Sequence, residues 1–177
     1  MSVHAAYDDR LDLGLSASLA QRTDAALAHF AQASALSPAS GIPHLLMGAE
    51  HAARGELVLA EAAYRTAVQR EPDLRQARYQ LGLLQFAAER RAQALRTWQP
   101  LLALGQGEPL GHFARGFGLL ARNDRAGCLR HLRRGLALSR DEAATPLGVG
   151  TVVEALERLL ASPGADGGTG GARHGTD

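Results

Sequence analysis

Glycine recurs at Gly14, Gly48, Gly82 and Gly116, each 34 residues after the last. The period carries other positions with it. Twelve residues beyond each glycine stands a small side chain, Ala26, Ala60, Ala94 and Cys128, and four further on a bulky one, Phe30, Tyr64, Trp98 and Leu132. Ala33 and Ala67, then Pro38 and Pro72, keep the same interval. A fixed period of this length marks a chain of stacked supersecondary units, each unable to bury its apolar face alone. Within each unit two apolar-periodic stretches of helical length flank a breaker, at Arg22-Thr23-Asp24, Arg54-Gly55-Glu56 and Arg122-Asn123-Asp124. In the third unit only register places a turn, at Glu89-Arg90-Arg91. Glycine inside a helix costs roughly 1 kcal/mol against alanine, so four in register predict a close approach of the paired helix, with the bulky residue filling the contact.

These residues resemble the tetratricopeptide repeat, whose signature runs Leu-Gly, a later aromatic, an alanine, a bulky aromatic beyond it and a closing proline. The matching places read Leu13-Gly14, Met47-Gly48, Leu81-Gly82 and Arg115-Gly116. Departures are the missing opening tryptophan, Leu101 and Gly135 in place of the later alanine, and Gln106 and Arg140 in place of the closing proline. The resemblance implies an all-α, right-handed solenoid of antiparallel helix pairs. The expected organisation is a single domain over 1–161, with units at about 7–40, 41–74, 75–108 and 109–142. A capping helix is expected at about 147–161, where Val149, Val152, Val153, Leu156, Leu159 and Leu160 form one stripe. Residues 162–177 are glycine-rich and nearly free of apolar side chains, which predicts a disordered tail.

In that family the first helix of each unit lines the concave side, where a peptide or partner helix lies. Carried onto this chain, the face comprises Leu11, Leu15, Leu45, Ala49, Tyr79, Leu83, Phe86, Phe113, Phe117 and Leu120. Leucine and phenylalanine at helical spacing are usually core, but a second apolar face beside the glycine stripe needs a cover, which predicts a partner with apolar anchors. The groove positions lack the basic residues that grip an acidic chaperone C-terminus, so a carboxylate clamp is not expected. The small chaperones of type III secretion translocators offer a similar architecture and polarity.

Charge adds a second candidate. All 19 cationic residues are arginine, and the net charge is +1, which gives no overall case for nucleic acid or membrane. Locally, residues 115–140 hold seven arginines and one aspartate. Arg130, Arg133 and Arg134 share a face at i, i+3, i+4 and are candidates for an anion or acidic partner, although without interleaved aromatics a solvated face is the simpler reading and nucleic acid is not expected.

The single cysteine excludes an intramolecular disulfide framework. Cys128 and His131, with His112 as a third, offer a conceivable zinc set, yet Cys128 occupies the recurring alanine place, which favours a buried inert thiol. His44 and His51, at i and i+7, are too far apart for helical chelation. No phosphate loop, nucleophile elbow or supported carboxylate pair is present. No apolar stretch is long enough to span a membrane, and Asp8, Asp9 and Asp12 with only Arg10 among them lead to the expectation of no export signal. The expectation is therefore a cytoplasmic, non-enzymatic scaffold, adaptor or chaperone with no cofactor and no metal. The alternatives are a self-assembling protein that dimerises through the groove or the C-terminal helix, and an enzyme accessory with a histidine and cysteine metal site.

Overall fold

The computed structural model describes residues 3–139 and 149–161, and among them the chain forms nine helices and no strand. The helices are α1 (Val3–Leu19), α2 (Thr23–Leu36), α3 (Ile42–Ala53), α4 (Leu57–Arg70), α5 (Arg75–Ala87), α6 (Arg91–Leu102), α7 (Pro109–Leu120), α8 (Arg125–Leu138) and α9 (Val149–Ala161). They group into two compact units, Met1–Gln106 and Gly107–Asp177. The boundary falls at Gly105-Gln106-Gly107, two glycines with open space where a side chain would stand. The expected tail at 162–177 lies outside the described residues, as do Arg140 and the first two residues of the expected cap.

In the first unit, α1–α2, α3–α4 and α5–α6 are hairpins, and α2 packs on α3 and α4 on α5. In the second, α7–α8 is a hairpin and α9 packs on α8. The glycine period is explained by contact. A Cβ at Gly14 would stand 2.3 Å from the Phe30 ring, at Gly48 2.5 Å from Tyr64, at Gly82 2.2 Å from Trp98 and at Gly116 2.8 Å from Leu132. Ordinary carbon contacts lie at about 3.5–4.0 Å, so only a missing side chain lets the hairpin close over these groups.

The hairpin turns obey the same period. Gln21, Gly55, Glu89 and Asn123 all take a left-handed backbone, with φ of 57°, 74°, 60° and 63°. Glu89 thus marks the third turn, which the sequence alone supports only by register. A left-handed residue reverses the chain within a few residues, and glycine does so with least strain. The closing prolines work as expected: α2 ends at Leu36 ahead of Pro38, and α4 at Arg70 ahead of Pro72. Unit four lacks the proline, and Ser139 instead donates its hydroxyl to the Gly135 carbonyl at 3.1 Å.

Gly135 has its own reason. A Cβ there would lie 2.5 Å from Phe113, so the loss of the family's alanine at this place makes room for a larger residue on the facing helix. Neighbouring hairpins in the first unit are joined by polar contacts, Arg54 to Asp24 at 2.6 Å and Arg90 to Glu61 through two nitrogens at 3.0 and 2.5 Å, while the Gly41 N–H donates to Glu71 at 3.0 Å across the open end of the α3–α4 hairpin. The Arg90 hydrogen bonds hold the Glu61 carboxyl below the usual carboxylate range, against the opposing pull of partial burial.

Candidate partner-binding surface

The ten groove candidates separate into three groups. Tyr79, Phe113 and Phe117 are interior, 0%, 0% and 4% exposed, which corrects their assignment to an open apolar face. Tyr79 stacks on Trp98 with ring centroids 6.1 Å apart, and its carbonyl accepts the Trp98 indole N–H at 3.0 Å. Phe113 fills the space that Gly135 leaves. Large aromatics so enclosed hold a hairpin together and cannot also meet a ligand without unfolding it.

A second group is half-buried. Leu11 packs against Ala17, Ala26 and Phe30, and Leu45 against Ala60, Tyr64 and Leu81. Phe86 lies 5.9 Å from the Trp98 ring, while Leu83 and Leu120 keep part of their surface in solvent. Only Leu15, at 42%, and Ala49 are exposed. The apolar surface that the first unit offers at these positions is therefore Leu15 and Ala49, bordered by Leu45, Leu83 and Phe86.

Polar side chains frame the same first helices. Ser18 on α1 donates to Glu50 on α3, which is buried at 9% exposure. Thr97 donates to Gln85 at 2.6 Å across α5–α6. These bonds between helices are invisible in the sequence because nothing in the spacing pairs Ser18 with Glu50. Another feature escaped periodicity: Leu57, Val58 and Leu59 are all exposed at the start of α4, and three consecutive apolar residues on one turn cannot all face inward.

The arginine cluster is real but partly engaged. Arg133 donates to Glu157 on α9 through Nε at 3.0 Å and Nη2 at 2.6 Å, whereas Arg130 and Arg134 point to solvent with no ion pair among the described residues. Asp124 caps α8 by accepting the Gly127 N–H at 2.7 Å.

The candidate metal set does not assemble. His112 and His131 meet through their Nδ1 atoms at 3.0 Å, but among the described residues no three histidine, cysteine or acidic side chains converge. Cys128 is fully buried, and burial, aided by Asp124, pushes its thiol up to about 11. Burial first, then His112, Arg115 and Arg130, holds His131 below its ordinary value. His44 joins α3 to α2 through Ser34 at 3.0 Å, and His51 contacts Glu56 at 2.6 Å beside the hairpin turn.

No family model and no curated protein matches this chain. Solved structures do. PilF of Pseudomonas aeruginosa superposes with a TM-score of 0.68 at 18% identity, over 89% of this chain and 70% of that one. TTC0263, a thermophilic TPR protein of Thermus thermophilus, gives 0.68 at 20% identity, over 88% and 83%. YrrB, a TPR protein with an unusual peptide-binding site, gives 0.59 at 14% identity, over 90% and 84%. With the glycine-to-bulky contacts repeated in four hairpins, these likenesses establish that the chain has the tetratricopeptide-repeat fold.

Proposed function

We propose that this protein is a non-enzymatic interaction module that holds an apolar peptide or helix of a protein partner, as a scaffold, adaptor or chaperone, in the cytoplasm. The observation that carries the reading is the apolar surface left on the first helices of the first unit, where Leu15 and Ala49 stand in solvent beside the half-exposed Leu45 and Leu83. Each hairpin already has its core in the glycine-to-bulky contact, so the solvent-facing Leu15 and Ala49 are surplus to internal packing. The likeness to YrrB supports a peptide as the occupant. Affinity would come from desolvating a few apolar anchors, with arginines outside the surface affecting encounter rate more than strength. Among the described residues no helix is long and apolar enough to cross a membrane.

The test is a binding screen of apolar helical and extended peptides against the wild type and against Leu15→Glu with Leu83→Glu. Peptides retained by the wild type and lost by the double variant, with unchanged helical circular dichroism, support the reading. Equal retention by both refutes it.

A further inference from the structure

The 34-residue register has a position that lies just before the repeat glycine and packs backwards onto the second helix of the preceding unit. Met47 packs there against Ala26 and Phe30 of α2, and Leu81 against Ala60 and Tyr64 of α4. Val149, in the same register, is 1% exposed on α9, which packs on α8. Leu13 is the corresponding residue of α1, and it is 47% exposed. Ala6, Asp9, Leu13 and Ser16 form one stripe on α1, and with Arg10 and Asp12 they line a shallow recess of about 380 Å³. A surface built to receive a second helix is therefore open, small-sided and net acidic, with Asp9 and Asp12 in no ion pair among the described residues.

A surface of opposite charge lies on α8, outside the face that α9 covers. Its exposed stripe reads Ala126, Arg130, Arg134 and Ala137, small residues at both ends and two uncommitted guanidinium groups between them. The helix carries Arg125, Arg130, Arg133 and Arg134 and no acid. Small residues allow two helices to approach closely, and arginine forks suit carboxylates. We propose that α1 of one copy docks on α8 of a second copy, Leu13 lying between the helices and Arg130 and Arg134 reaching Asp9 and Asp12. Because the two surfaces differ, the junction is heterologous, so association runs head to tail and either continues or closes into a ring. This use of α1 and α8 is separate from the peptide surface around Leu15 and Ala49.

Sedimentation velocity over a concentration series tests the proposal. The wild type is expected to grow in mass with concentration, and to lose at least about tenfold in association strength in about 1 M salt, where charges are screened beyond ~3 Å. Two variants, Asp9→Arg with Asp12→Arg and Arg130→Glu with Arg134→Glu, alter only surface side chains, and circular dichroism checks that both fold. Each alone sets like charges against each other at the junction and should remain monomeric. In their equimolar mixture the unaltered α1 of the glutamate variant meets the unaltered α8 of the arginine variant, and the doubly reversed junction is again opposite in sign. The mixture should therefore recover growth with concentration. A wild type that stays monomeric at several hundred micromolar, an association that survives either charge reversal alone, or a mixture that stays monomeric would each overturn the proposal.

Discussion

Gly82→Ala places a methyl group where the structure has least room. Its Cβ would stand 2.2 Å from Nε1 of Trp98 and 2.5 Å from Cε2. Alanine would ordinarily gain a helix about 1 kcal/mol over glycine. Here the ring must retreat by more than about 1 Å to reach normal contact distance. It has nowhere to go: Trp98 is fully buried, flanked by Tyr79 and Phe86, and tied through its indole N–H to the Tyr79 carbonyl at 3.0 Å. Overpacking of this kind costs about 1–3 kcal/mol, and breaking a buried hydrogen bond adds about 1–3 kcal/mol. Set against the helix gain, the net loss is about 1–5 kcal/mol. Gly150→Ala is the control, since Gly150 keeps the same register in α9 but has nothing within 4 Å of its Cβ position. That change should stabilise by roughly 0.5–1 kcal/mol. Urea unfolding followed by fluorescence reads the first substitution directly, because Trp98 is the sole tryptophan of the chain, and far-ultraviolet circular dichroism reads both. A Gly82→Ala protein as stable as the wild type, or a Gly150→Ala protein that is less stable, would refute the packing account of the period.

Three other outcomes follow from the same structure. Glu89→Gly relieves a left-handed backbone and should stabilise by roughly 0.5–1 kcal/mol, read as a higher urea midpoint; a lower midpoint would contradict the turn assignment. Burial, assisted by Arg70 for His44 and by His112, Arg115 and Arg130 for His131, lowers both imidazoles from 6.5. The unfolded chain then binds more protons between the lowered values and 6.5, so stability is full above that pH and declines as pH falls through the window; equal urea midpoints at about pH 7.5 and about pH 5 would exclude it. Finally, Cys128, buried and with its thiol pushed up to about 11, should resist aromatic disulfide reagents until denaturant is added, whereas prompt labelling of the native protein would show an accessible thiol.

Much of the architecture was legible in the chain because the repeat writes one contact several times. The pairing of Gly14 with Phe30, Gly48 with Tyr64 and Gly82 with Trp98 follows from spacing, since antiparallel helices joined by a short turn bring those places together. The turn at Glu89-Arg90-Arg91 followed from register alone, and the left-handed backbone of Glu89 bears it out. The binding face was less legible. Periodicity puts Leu15, Tyr79 and Phe113 on corresponding stripes, yet Leu15 is open while Tyr79 and Phe113 are enclosed. The stripe states a direction on the helix, and the size of what stands opposite decides exposure: Trp98 covers Tyr79, and Gly135 admits Phe113.

What the sequence by itself determined is the repeating unit: its length, its two helices, the position of its turn, and the small and bulky residues that must touch. These are local rules, set by helix periodicity and by the volume of side chains at fixed separations. Only the tertiary structure decided the division at Gln106, the bond between Ser18 and Glu50, the coupling of Arg133 to Glu157, and the exposure of Leu13 on α1. Each of these depends on which helix lies beside another, and a stripe pattern alone does not state its neighbour. Burial is a property of two surfaces, and a sequence stripe describes one.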